Sequence, residues 1–231
     1  MAMSIDDLDF DDEEEIDNDI LEICFPIYHL PVDCDDLFDS GTGFLINNNG
    51  IFLSAGHNFS KEIGTYIAYY GDNKYKIKCI YKEHDDSGKD LFIGELIDFN
   101  GKLPFHVTLA NSDSIENGTD LNFAGFNTQM IVPGETMTTG IKIQDSEYTF
   151  YGHVLTAELV FPEKKEWYRI IGDKRLTLPF MKVLSNTTSP LYRGISGGPV
   201  FFEKRIYGVF LSDVFVTSNY IRDCLKKVGT K

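Results

Sequence analysis

The sequence has no long apolar run. Nothing in it approaches the roughly 20 residues that a membrane-spanning helix needs, so no such helix is expected. It is also short of cations: 21 Lys and Arg stand against 36 Asp and Glu, for a formal net charge of −15. No basic patch is available to neutralise phosphates, which disfavours nucleic acid as a partner. Cysteine is sparse. Cys24, Cys34, Cys79 and Cys224 are scattered, with no C-x-x-C pair and no Cys/His cluster at ligand spacing, so no metal site is expected. There is no phosphate-cradling P-loop, and no cofactor is implied. The first residues carry neither a basic nor an apolar leader segment, so no secretory signal is expected and the cysteines read as reduced thiols in a cytoplasmic protein.

The acidity is concentrated at one end. Ten of the 36 acids lie in residues 1–20, which hold no base, and this leaves 26 acids against 21 bases in the remainder. Like charges repel, and little apolar surface is present to offset chain entropy, so residues 1–20 read as a disordered acidic arm. A docking tail and a solubilising extension both fit it. A calcium loop over Asp9 to Asp19 is rejected because the central glycine is missing.

The chain's 18 Phe and 12 Tyr, all but Phe10 in the body, favour strands. Short candidate strands at close spacing suggest an all-β barrel or sandwich. They are Glu22 to Leu30, Gly41 to Ile46, Ile51 to His57, Thr65 to Tyr70, Lys74 to Tyr81, Leu91 to Ile97, Phe105 to Leu109, Leu121 to Phe126, Thr136 to Ile143, Tyr148 to Tyr151, Val154 to Phe161, Val200 to Phe202 and Ile206 to Leu211. Asn47 to Gly50 forms the strongest hairpin turn. In Lys74 to Cys79, lysines alternate with Tyr75, Ile77 and Cys79, which gives one wet and one buried face. One helix closes the chain: Ser218 caps it, Ile221, Leu225 and Val228 share a face, and Gly229 stops it.

Three motifs carry chemistry. Gly194-Ile195-Ser196-Gly197-Gly198-Pro199 sets a serine among glycines, where the backbone can approach a substrate and direct two N–H groups at one developing charge. Leu53-Ser54-Ala55-Gly56-His57 delivers a histidine at a strand end, and Asp90 heads the apolar run Leu91 to Leu96. A serine hydroxyl needs a base, and the base needs a group to fix its tautomer. His57, Asp90 and Ser196 supply these in chain order. Among rivals, His29, His106 and His153 sit in strand-like settings and read as barrel histidines, His84 lies in a polar loop, and Asp85 and Asp86 compete with Asp90.

Together these motifs resemble those of trypsin-like serine proteases of the chymotrypsin fold, over roughly residues 20 to 231. The separations, 33 residues from His57 to Asp90 and 106 from Asp90 to Ser196, suit a compact member. The resemblance implies two six-stranded Greek-key β-barrels with a C-terminal helix. The division would be 1–20 arm, 21–114 first barrel, and 115–231 second barrel and helix. It implies catalysis by His57, Asp90 and Ser196, an oxyanion hole from the N–H groups of Gly194 and Ser196, and substrate-binding positions at Pro190, Leu211, Ser212 and Asp213. Pro190 stands where trypsin has an acid, so Lys/Arg preference is unsupported there. Ile195 replaces an Asp or Asn common in the family, so activation by a freshly cut N-terminus is not expected. The implied function is a bacterial serine endopeptidase that cuts a restricted set of protein or peptide targets through an acyl-enzyme intermediate, open to gating by a partner in a regulatory, stress or defence pathway. A catalytically inactive binding module and an esterase-like acyl hydrolase are the alternatives.

Overall fold

The computed structural model describes residues 18–32, 38–61, 63–83, 89–127, 142–144, 149–160, 168–171, 174–177, 180–184, 194–211 and 214–229. Of the expected acidic arm, residues 1–17 lie outside this set. The described chain opens with a 3-10 helix over Asn18–Ile23, and Ile20, Leu21 and Ile23 are buried. The last residues of the acidic segment are therefore already packed on the core.

Six antiparallel strands follow: β1 (Cys24–Leu30), β2 (Phe38–Leu45), β3 (Ile51–Ala55), β4 (Thr65–Tyr70), β5 (Asn73–Glu83) and β6 (Leu91–Leu96). They close into a barrel in the order β1-β2-β3-β6-β5-β4. Its interior is aromatic, with Phe59 stacked on Phe92 at 3.5 Å and Phe25 edge-on to Phe52 at 5.2 Å. Such pairs add to the stabilisation from burying their area. The β2–β3 turn forms at Asn47 to Gly50 as expected. The Asn47 carboxamide oxygen accepts the N–H groups of Asn49 and Ile51, and Gly50 takes φ 77°. Pro26 is tolerated in β1 because it faces Thr42, whose own N–H leaves the ladder for the Ser196 carbonyl.

The second half contributes β7 (Thr108–Leu109), β8 (Asp120–Asn127), β9 (Lys142–Gln144), β10 (Thr149–Val160), β11 (Tyr168–Ile171), β12 (Lys174–Thr177), β13 (Phe180–Leu184), β14 (Pro199–Phe202), β15 (Arg205–Phe210) and β16 (Val214–Thr217). Where a second six-stranded barrel was expected, an eight-stranded sheet is described. Its order is β13-β16-β15-β14-β8-β10-β9, with β7 added in parallel to β15 and a further β10–β13 pairing. Strands β11 and β12 pair separately.

Several local expectations need correction. The two candidates Tyr148 to Tyr151 and Val154 to Phe161 merge, over Thr149–Val160, into the one strand β10, which runs through Gly152 without interruption; Tyr148 and Phe161 lie outside the described residues. Phe105 to Leu109 shrinks to two residues, and His106 lies exposed outside any strand, just after Pro104. Cys79 is exposed, because pairing of β5 with β6 slips by one residue between Cys79 and Tyr81 and breaks the alternation. Cys24 and Cys224 are also free thiols, and Cys34 lies outside the described residues. No helix among the described residues is long and apolar enough to cross a membrane.

The last helix, α1 (Ser218–Val228), forms where expected and ends at Gly229 with φ 72°. Its N-cap is Thr217 rather than Ser218. The Ser218 hydroxyl instead donates to the Ala110 carbonyl at 2.6 Å, which ties the helix to the chain just after β7.

Candidate active site

Strand β3 is buried along its whole length and runs into a 3-10 turn, Gly56–Phe59, that presents His57. Only glycine fits at position 56: a Cβ there would lie 2.2 Å from the Glu83 carbonyl and 3.0 Å from the Asp90 carboxylate. Asp90 precedes β6 with φ 22° and is 8% exposed. It is held at three points. Its Oδ1 accepts the His57 N–H at 2.6 Å, its Oδ2 faces His57 Nδ1 at 2.6 Å, and its carbonyl accepts the Gly56 N–H at 3.1 Å. A carboxylate at Nδ1 favours the tautomer with its proton there, which leaves Nε2 as the acceptor.

Ser196 approaches from the other half of the molecule. Gly194 and Gly197 adopt φ 91° and 95°, values that other residues rarely take. Gly197 donates to Phe210 and Gly198 to Ile195, so the turn folds back on itself. Ile195 is fully buried in an apolar cluster with Leu121, Phe123, Val200, Phe210 and Phe215, and it plugs the turn into the second sheet's core. Ser196 Oγ then lies 2.8 Å from His57 Nε2 and 2.5 Å from the Leu211 carbonyl. One hydroxyl proton thus has two acceptors in reach. Among the described residues, no acceptor faces the N–H of Gly194 or of Ser196.

A buried latch from the first barrel secures this turn. Thr42 Oγ1 donates to the Gly194 carbonyl at 2.6 Å and accepts the Phe126 N–H at 2.9 Å. The Thr42 N–H and Asn58 Nδ2 both donate to the Ser196 carbonyl, at 2.9 and 2.7 Å. The Ser54 hydroxyl donates to the Thr42 carbonyl at 2.6 Å and accepts from Asn58 at 3.1 Å. Thr42, Ser54 and Asn58 are all at most 3% exposed. Gly197 completes the fit, since a Cβ there would meet the Thr42 carbonyl at 2.2 Å. None of the three was singled out from the sequence. The available signal was their polarity at positions flanked by buried strand residues.

The other positions divide. Leu211 sits at the site through its carbonyl. Pro190, Ser212, Asp213, His84, Asp85 and Asp86 lie outside the described residues. His29 is buried, and its Nε2 faces the Ile63 carbonyl at 2.7 Å, far from the site in sequence and bonding. His153 is buried on β10, and burial lowers its pKa from the ordinary imidazole value. No group of three or more metal-ligating side chains occurs among the described residues.

No protein-family model matches the chain, and no curated protein matches it. Solved structures do. The Rv3671c protease of M. tuberculosis in its active form is 16% identical, with a TM-score of 0.61, over 91% of this chain and 82% of that one. The serine endoprotease of Yersinia pestis is 12% identical at TM-score 0.57, over 91% and 65%. The HtrA-type protease AlgW, solved with a decapeptide, is 11% identical at TM-score 0.59, over 91% and 66%. The chain spans about two thirds of these last two. What all three share with it is architecture, and the chain has the trypsin-like serine-protease fold.

Proposed function

We propose that the protein is a serine endopeptidase in which Ser196 is the nucleophile, His57 the general base and acid, and Asp90 the orienting carboxylate. One observation carries the reading: Ser196 Oγ, His57 and Asp90 form a continuous chain of 2.8 and 2.6 Å contacts. His57 Nε2 takes the hydroxyl proton as Oγ bonds to the scissile carbonyl carbon. The carbonyl π pair moves to oxygen, and the N–H groups of Gly194 and Ser196 receive that oxyanion. Each such donor is worth about 3 kcal/mol in the transition state. His57 then gives its proton to the leaving amine as the C–N bond breaks. Water enters by the same route in reverse and frees the acid from the acyl-enzyme.

The Leu211 carbonyl has a part in substrate handling. While it holds the serine proton, His57 does not. A substrate main-chain N–H that takes over this carbonyl releases the hydroxyl to Nε2, so binding and activation coincide. By the family resemblance, Pro190, Ser212 and Asp213 are assigned to substrate binding together with Leu211. The proposed division is 21–114 and 115–231 with the site between them; β7 crosses it, since Thr108–Leu109 pair with β15 of the second sheet. Closure of the second sheet as a six-stranded barrel is supported by the pairing of β10 with both β8 and β13. The similar structures are those of proteases, which favours a peptide or protein substrate over a simple ester.

The test is a proteome-wide search for new N-termini produced by the protein, compared with Ser196→Ala, followed by a peptide library set against simple esters. Ser196-dependent peptide cleavage supports the reading. Hydrolysis of esters alone would replace it with acyl hydrolysis, and no cleavage of either would leave a binding module.

A further inference from the structure

A second side-chain cluster, outside the serine, histidine and aspartate, joins the C-terminal helix to the edge of the first barrel. Tyr220 of α1 donates its hydroxyl to Glu83 Oε2 at the last residue of β5. Lys89 reaches the same carboxylate at 4.0 Å on Oε1, and its ammonium lies 4.8 Å from the centre of the Tyr220 ring. Cys224, one turn further along α1, donates to the Tyr81 hydroxyl at 3.6 Å. Burial and the Glu83 carboxylate push both phenols well above their ordinary range, so they remain neutral donors. The helix itself is fixed. Ser218 bonds the Ala110 carbonyl, Arg222 the Leu109 carbonyl at 3.2 Å, and Asn219 the Asn111 side chain at 2.8 Å.

Glu83 and Lys89 are the two shoulders of the β5–β6 connection, and Asp90 is the next residue. Glu83 pairs with Leu91 across the ladder, and its carbonyl and the Asp90 carboxylate press on the same side of Gly56. A shift of either shoulder is therefore transmitted to the Asp90 carboxylate. Asp90 holds φ 22°, a backbone setting that its surroundings must impose. We infer that Tyr220 is a positioning residue for the proposed hydrolysis, a cross-domain clamp that holds Glu83 and Lys89 so that Asp90 stays bonded to His57. This rests on the hydrolase reading of the site.

Two readouts on the full chain test it. The first is the far-downfield proton resonance of the His57–Asp90 hydrogen bond, which needs no substrate. The second is the rate of covalent labelling of Ser196 by a fluorophosphonate. Tyr220→Phe keeps the ring under Lys89 and removes the hydroxyl. It is expected to broaden or shift the resonance and to slow labelling about tenfold, since sub-ångström misplacement of such groups is costly. Tyr220→Phe in an Asp90→Asn background is expected to slow labelling less than about twofold further, because the clamp acts through Asp90. If Tyr220→Phe does not accumulate as folded protein, Lys89→Met carries the same comparison. An unchanged resonance overturns the clamp, whether or not labelling slows. An unlabelled wild type would instead remove the hydrolase reading, and the resonance would still decide the clamp.

Discussion

Thr42→Val isolates the latch that joins the two halves of the site. Valine matches threonine in shape, so no cavity opens and only the hydroxyl is lost. That hydroxyl serves two partners, the Gly194 carbonyl at 2.6 Å and the Phe126 N–H at 2.9 Å. Phe126 is 1% exposed, so its N–H is left buried and unpaired, at a cost of about 1–3 kcal/mol. The Gly194 carbonyl sits in a half-buried turn and loses about 1 kcal/mol. The sum is a destabilisation of about 2–4 kcal/mol. Asn58→Ala is expected to cost less for lost hydrogen bonding, because the Ser196 carbonyl keeps the Thr42 N–H when Asn58 is removed. Urea denaturation gives the stability change. Fluorophosphonate labelling of the still-folded variant gives the change at Ser196, expected to fall because the turn carrying its N–H groups is released. Thr42→Ser restores the hydroxyl and should recover both. A Thr42→Val protein with wild-type midpoint and labelling rate would refute the latch.

Other expectations follow from the same geometry. Gly197→Ala places a Cβ 2.2 Å from the Thr42 carbonyl at φ 95°, so it should abolish labelling or folding, read by circular dichroism and the same probe. Ile195→Ala removes a fully buried plug and should cost about 2–5 kcal/mol in denaturant melts. Burial lowers the His153 pKa, so the unfolded chain binds the proton first as pH falls. The stability due to neutral His153 is complete above about pH 6.5 and is lost as pH drops from there through the lowered folded value. His153→Gln should flatten this part of the midpoint-against-pH curve, and an unchanged slope would contradict it.

Local chemistry carried much of this molecule. The Asn47 to Gly50 turn, the alternation at the start of β5 and the helix stop at Gly229 depend on near neighbours, and each stands where the sequence places it. The proximity of His57, Asp90 and Ser196 is not local, spanning 33 and 139 residues, and was read from motif and order instead. What escaped was set by partners far away. Thr42 bonds Gly194, 152 residues on, and Tyr220 bonds Glu83 across 137 residues. Neither residue type nor flanking pattern records such a pairing. Ser218 shows the converse: a good helix cap by type, it was taken by the Ala110 carbonyl, and Thr217 became the cap. Strands β11, β12, β13 and β16 were missed as well; β13 takes its order from β10 and β16, whereas β11 and β12 pair with each other on either side of Gly172-Asp173, whose local turn signal was available and overlooked.

Mass-spectrometric mapping of fluorophosphonate labelling bears most directly on the central claim. A single adduct on Ser196 in the wild-type protein, at least about 10³-fold slower in His57→Ala, is the expected result. No adduct on Ser196, or equal labelling in His57→Ala, would contradict it.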